Sequence, residues 1–147
     1  VSFLTHHLWQ DWRWGSPILY RYFLDFEPGI NFSQFQMQAG VTGINTVRMY
    51  NPVKQSMDND SEGNFIKRWV PELRDIPNQF IHEPWKLTAL DRKFLNIDNV
   101  YPEPIISHIE AGREARKRIW SIRNHPAVRE ESKRILKRHT LPGRRNA

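Results

Sequence analysis

The sequence predicts an all-α protein, and three observations carry that expectation. Apolar residues recur at helical spacing, no alternating strand pattern of useful length occurs, and ten prolines with seven glycines cut the 147-residue chain into short segments. That length is one domain's worth and suffices to bury a core. Neither an internal repeat nor a glycine-rich phosphate loop is present. The expected architecture is an irregular bundle of unequal helices with proline-rich connections.

Residues 2–12 read as a first helix with Phe3, Leu4, Leu8 and Trp12 on one stripe. Gly15 is expected to break it from a second helix over residues 17–26, where Pro17 suits a first turn. Pro28-Gly29 breaks the chain again, and Asn31 is expected to cap a third helix over residues 31–38. Residues 44–60 read as an extended polar loop. Asp60 or Ser61 then caps a helix carrying Phe65, Ile66 and Trp69, which ends before Pro71 because a proline disfavours helix in the residue preceding it. Prolines at 71, 77, 84, 102 and 104 punctuate a packed irregular stretch containing Trp85, Leu87, Leu90, Phe94 and Tyr101, with a short helix at residues 87–94. A long helix follows over residues 105–123, its stripe being Ile105, Ile109, Gly112, Ala115, Ile119 and Ile122. His125-Pro126 ends it. A more charged helix runs to about His139, and residues 141–147 read as a disordered end.

Composition narrows the chemistry. The absence of cysteine excludes disulfides, thiolate zinc sites and cysteine-held iron–sulfur clusters. Nothing resembles a signal peptide or an apolar run long enough to span a membrane, so a soluble, cytoplasmic protein without a membrane partner is expected. His6-His7 does not suggest a metal, since neighbouring helical side chains diverge and no third histidine follows at ligand spacing. The acids of residues 57–61 lack the glycine and terminal glutamate that calcium chelation requires. The net charge of +6 is concentrated late: residues 113–147 hold twelve Lys/Arg against three Glu, and residues 1–112 hold ten against thirteen acids. Such a tail attracts phosphate backbones, although a solvated helix face explains it as simply.

The chain is organised around residues 24–38, Leu-Asp-Phe-Glu-Pro-Gly-Ile-Asn-Phe-Ser-Gln-Phe-Gln-Met-Gln, where Asp25, Glu27 and Asn31 are interleaved with aromatic rings. Taken alone they read first as a helix cap with two solvated acids. Ten of the eighteen aromatic residues fall within the first 37, and most should be core. Packing does not require the three polar residues beside them. Together the stretch suits a large, flat, polar-edged ligand.

The flanks give that ligand a name by resemblance. Asp11-Trp12-Arg13-Trp14-Gly15 stands upstream. Downstream are residues 48–55 (Arg-Met-Tyr-Asn-Pro-Val-Lys-Gln), residues 62–73 (Glu-Gly-Asn-Phe-Ile-Lys-Arg-Trp-Val-Pro-Glu-Leu) and Ile81-His82-Glu83-Pro84-Trp85. In this order the chain resembles the C-terminal part of the flavin-binding domain of the DNA photolyase and cryptochrome family, over roughly residues 2–122. The resemblance implies a helical bundle with FAD as cofactor. Residues 1–125 are then that portion of the domain, and residues 126–147 a basic helical extension with a flexible tail. It implies that Asp25, Phe26 and Glu27 touch the flavin and that Asn31 presents its amide to the redox-sensitive ring nitrogen, where an amide can donate or accept. Trp12 and Phe35 fall at electron-transfer positions, and Met37, Arg48 and Gln55 fall where relatives approach DNA.

The implied activity is that of a deoxyribodipyrimidine photolyase, a lyase in which blue light drives an electron from FAD to a cyclobutane pyrimidine dimer in DNA. Three departures qualify the match. Phe35 replaces the tryptophan expected beside the flavin, and Met37 replaces a tryptophan that packs on the flipped-out dimer. The family's antenna domain and the phosphate-binding first half of the flavin domain have no counterpart here. The expectation is therefore a fragment whose site is completed by that missing N-terminal half or by a second chain. A cryptochrome-like photoreceptor without repair activity is the alternative, as is a truncated interaction module lacking flavin.

Overall fold

Asp11 decides where the first α-helix begins. Its carboxylate accepts from Arg13 N at 2.9 Å, opening α1 over Trp12–Tyr20. The computed structural model describes residues 1–43, 45–98 and 101–139. Among these every regular element is helical and no strand forms, in agreement with the all-α expectation. The expected disordered end at residues 141–147 lies outside the described residues. Two units divide the chain, one built from Val1–Met49 with the segment from His108 onward, the other from Tyr50–Ser107.

In the first unit the expected helix over residues 2–12 is replaced by a single π-helical turn, Phe3–His7, closed by Leu8 N donating to Phe3 O at 2.9 Å. Trp9 then adopts a left-handed backbone (φ 52°), ahead of the cap at Asp11. The turn buries Thr5, His6 and His7 rather than the predicted apolar stripe. Gly15 does not break the chain. It sits inside α1, where a Cβ would come within 2.4 Å of Leu4 Cδ2 and 3.1 Å of Phe35 Cε1, so its lack of a side chain admits close packing. Helix α1 stops at Tyr20 instead of Phe26.

Helix α2 spans Pro28–Ala39 and starts earlier than predicted. Glu27, not Asn31, is the N-cap, accepting from Gly29 N at 3.2 Å, and Pro28 occupies the first turn where its missing N–H costs nothing. Gly40 (φ 77°) ends it in the left-handed conformation, with Gly40 N donating to Met37 O and Val41 N to Gln36 O, both at 3.1 Å. Helix α6 (His108–Asn124) packs on the π-helical turn through small residues, Ala115 being buried and Gly112 facing His7. Its predicted stripe is only partly used, since Ile105, Ile109 and Ile122 are exposed. The break at His125-Pro126 holds: the His125 carbonyl accepts from Val128 N and Arg129 N, opening α7 over Pro126–His139.

The second unit turns on the tight packing of Leu73, Ile76 and Ile81, joined by Ile66, Val70, Phe80, Leu87, Ile97 and Tyr101. Residues 44–60 are not one extended loop, because Asn51 caps a helix, α3 (Pro52–Asn59), by accepting from Lys54 N at 3.1 Å. Gly63, not Asp60 or Ser61, is the N-cap residue of α4 (Asn64–Trp69), but the Asp60 carboxylate still holds the helix start by accepting from Phe65 N and Ile66 N. Short 3₁₀ turns at Pro71–Leu73 and Pro84–Lys86 lead to α5 (Ala89–Leu95), opened by a reciprocal Thr88–Asp91 capping box. Leu90 and Phe94 on α5 are exposed rather than part of the expected packed stretch.

Candidate functional site

Residues 24–38 become a linker and α2, and α1 packs against them. Ser16, fully buried on α1, donates its hydroxyl to Asn31 Oδ1 at 3.1 Å. Four residues further along α2, Phe35 lies on the same face, 3% exposed and set against Gly15. Neighbouring glycine and serine thus receive the ring and the amide of one helix face. With its carbonyl occupied, the half-buried Asn31 keeps its NH₂ group as a donor.

Around this pair runs an aromatic series. Tyr20 meets Phe26 edge-on at 4.2 Å between centroids, Phe26 meets Phe32 at 5.9 Å, and Phe32 meets Trp12 at 6.3 Å. Trp12 is half-buried, and the Arg13 guanidinium lies 5.0 Å from its ring centroid. Asp25 and Glu27 are exposed, and Tyr22, Leu24 and Ile30, close to them in sequence, present apolar surface to solvent. These residues fit one side of a planar ligand with a polar edge: two carboxylates, a fixed amide and uncovered apolar surface.

The other predicted positions are more scattered. Met37 is half-buried toward the end of α2, and Arg48 is exposed in the segment after it. Gln55 is exposed on α3, in the second unit. The structure therefore brings together Trp12, Phe26, Asn31 and Phe35 through α1 and α2, with Asp25 and Glu27 on the linker between those helices. It says nothing that joins Arg48 to Gln55.

One buried group escaped the sequence reading. His6 is 2% exposed, with Nδ1 3.2 Å from Ser2 Oγ and Nε2 lacking a hydrogen-bond partner. Burial lowers its pKa below 6.5, opposed by the Ala39 carbonyl and reinforced by His7. It borders a cleft of about 670 Å³ that Trp9, Trp12, Gln36, Ile119 and Val128 also line. The adjacent pair His6-His7 gave no sign of this, because both rings are buried by a π-helical turn that the sequence does not reveal.

Comparison with known proteins fits the geometry. A family model described as the FAD binding domain of DNA photolyase matches residues 1–121. The deoxyribodipyrimidine photo-lyase of Alkalihalophilus pseudofirmus is 36% identical over 119 residues, covering 78% of this chain and 25% of the relative. Cryptochrome DASH of Synechocystis is 33% identical over 124 residues, covering 81% and 25%. The crystal structure of a Synechocystis cryptochrome superposes with a TM-score of 0.72 at 32% identity, over 79% of this chain and 25% of that one. The chain thus spans about a quarter of the length of the curated relatives it matches. Among the described residues no helix is long and apolar enough to cross a membrane. With the family model covering most of its length, this chain belongs to the DNA photolyase and cryptochrome family, within the FAD-binding domain.

Proposed function

We propose that this chain forms one side of the FAD site of a photolyase-like protein that uses blue light to repair cyclobutane pyrimidine dimers in DNA. The observation that carries the reading is the Asn31 amide, held by the buried Ser16 hydroxyl so that its NH₂ group is free to bond an acceptor. Asp25 and Glu27 supply the polar edge and Phe26 an apolar wall. The exposed surface of Leu24, Tyr22 and Ile30 supports completion by further polypeptide, either the rest of the domain or a second chain, since a patch of this kind marks an interface. Asp25, Phe26, Glu27 and Asn31 would hold FAD, which when bound would supply light-driven electron transfer to the dimer. Met37, Arg48 and Gln55 are assigned to the DNA side, the two polar residues to positioning the strand.

A photoreceptor without repair activity is the second reading, and Phe35 and Met37 favour it. Phenylalanine is far harder to oxidise than tryptophan, and a thioether gives up the ring that would stack on a flipped base. The test irradiates the FAD-loaded complex of this chain and the rest of the domain with a dimer-containing oligonucleotide. Dimers lost in blue light and kept in the dark support repair. A complex that binds FAD and photoreduces yet leaves the dimers intact supports the photoreceptor.

A further inference from the structure

Where α6 turns into α7, the two helices and the segment after Gly40 border an open groove of about 560 Å³. Trp120, Arg123, Arg129, Lys133, Asn45 and Thr46 are among its walls, and among the described residues no carboxylate lines it. Both arginines are oriented by neutral acceptors: Arg123 Nη2 donates to Asn45 O and Arg129 Nη2 to Asn124 Oδ1, each at 2.8 Å. Their positions are fixed while their charges stay uncancelled. The contrast on the same helices is sharp, since Arg118 pairs with Glu114 and Arg134 with Glu131. Among the described residues Arg123, Arg129 and Lys133 form no ion pair. Helix α7 lies beyond the residues that the family model matches.

We propose that this groove binds a single nucleic-acid strand, its phosphates on Arg123, Arg129 and Lys133 and an unpaired base on the face of Trp120. Oriented guanidiniums without carboxylate partners suit phosphate oxygens. Trp120 is 50% exposed beside them, a tryptophan in a basic groove where a base can stack. Along α7, Arg129, Lys133 and Lys137 succeed one another at four-residue intervals, about 6 Å apart, a ladder that follows successive phosphates. A free phosphate would use the cations and leave the ring idle. The combination favours a strand, and it depends on neither FAD nor repair.

The test measures binding of a labelled oligothymidylate to the full chain by fluorescence anisotropy at several salt concentrations. Trp120→Leu should weaken binding roughly tenfold through lost stacking. Arg129→Gln with Lys133→Gln should weaken it and reduce the steepness of the salt dependence by about 1.4, two phosphate contacts at about 0.7 each. Arg134→Gln changes net charge outside the groove and should have a much smaller effect, while circular dichroism confirms retained helix in every variant. A duplex of the same length, which offers no unpaired base, should bind more weakly and ignore Trp120→Leu. Equal weakening by Arg134→Gln and Arg129→Gln would overturn the proposal, as would unchanged strand binding by Trp120→Leu. Tighter binding to vesicles of anionic phospholipid than to the strand would do the same.

Discussion

Gly63 shows how one residue can be held by both its backbone and its neighbour. Its φ of 69° suits glycine, and a Cβ there would stand 2.7 Å from Ile81 Cγ1 and 2.8 Å from Cγ2 in the best-buried part of the second unit. Gly63→Ala should therefore cost about 2–5 kcal/mol, combining ~1–2 for the left-handed backbone with ~1–3 for overpacking. Denaturant unfolding measures this, and a change below about 0.5 kcal/mol would contradict it. His6 sets a pH window. Because its folded pKa lies below 6.5, the unfolded chain takes up the proton first, so stability holds above about pH 6.5 and declines as pH falls through that value. His6→Gln should flatten this decline when unfolding midpoints are compared across pH. The carboxylates of Asp11 and Asp91, held below 3.8 by hydrogen bonds from Arg13 N and the Thr88 hydroxyl, lose their contribution only in more acid solution. At Phe35, a tryptophan should speed photoreduction of FAD in the completed protein by restoring an oxidisable ring. Gly15 crowds the site, so the same Phe35→Trp change should also destabilise by ~1–3 kcal/mol. Equal photoreduction yields, read by transient absorption, would make the departure at 35 harmless.

Short helices opened by side-chain caps are the working element of this chain. Asn51→Ala should cost about 1 kcal/mol by removing the acceptor for Lys54 N and fraying α3, measured as a lowered unfolding midpoint. A midpoint that does not move would mean that Pro52 alone sets the helix start. Caps also explain what the sequence made legible. Asp60, the stop before Pro71 and the break at His125-Pro126 were readable because a carboxylate ahead of an apolar run and a proline ring act locally. The helix at α3 was legible in principle from Asn51-Pro52, a cap followed by a first-turn proline, but the surrounding polar residues masked it. Gly15 was misread for the opposite reason. A glycine in sequence signals a break, and only the approach of Leu4 and Phe35 reveals a packing contact. In the candidate site, residue identity was legible but partnership was not: Asn31 looked like a cap, and its bond to Ser16, fifteen residues earlier, depends on how α1 crosses α2.

At the scale of the whole molecule, the uneven burial is the clearest feature. Among the described residues the buried hydrophobic ones are Phe35, Leu73, Ile76, Ile81 and Ala115, while Trp14 and Ile18 on α1, Tyr22 and Leu24 on the linker and Ile30 on α2 are exposed. Composition could not foretell this, because an aromatic-rich stretch reads as core whether its cover lies in the same chain or elsewhere. In the proposed function, Asp25 and Asn31 belong to a flavin site completed by further polypeptide. FAD content tests it most directly, measured by absorbance after purifying this chain alone, the chain co-expressed with the N-terminal part of a matched photolyase, and that complex carrying Asp25→Ala and Asn31→Ala. The prediction is stoichiometric FAD in the unaltered complex, little in the isolated chain and a marked loss in the double variant. Stoichiometric FAD on the isolated chain, or an unchanged FAD content in the double variant, would contradict it.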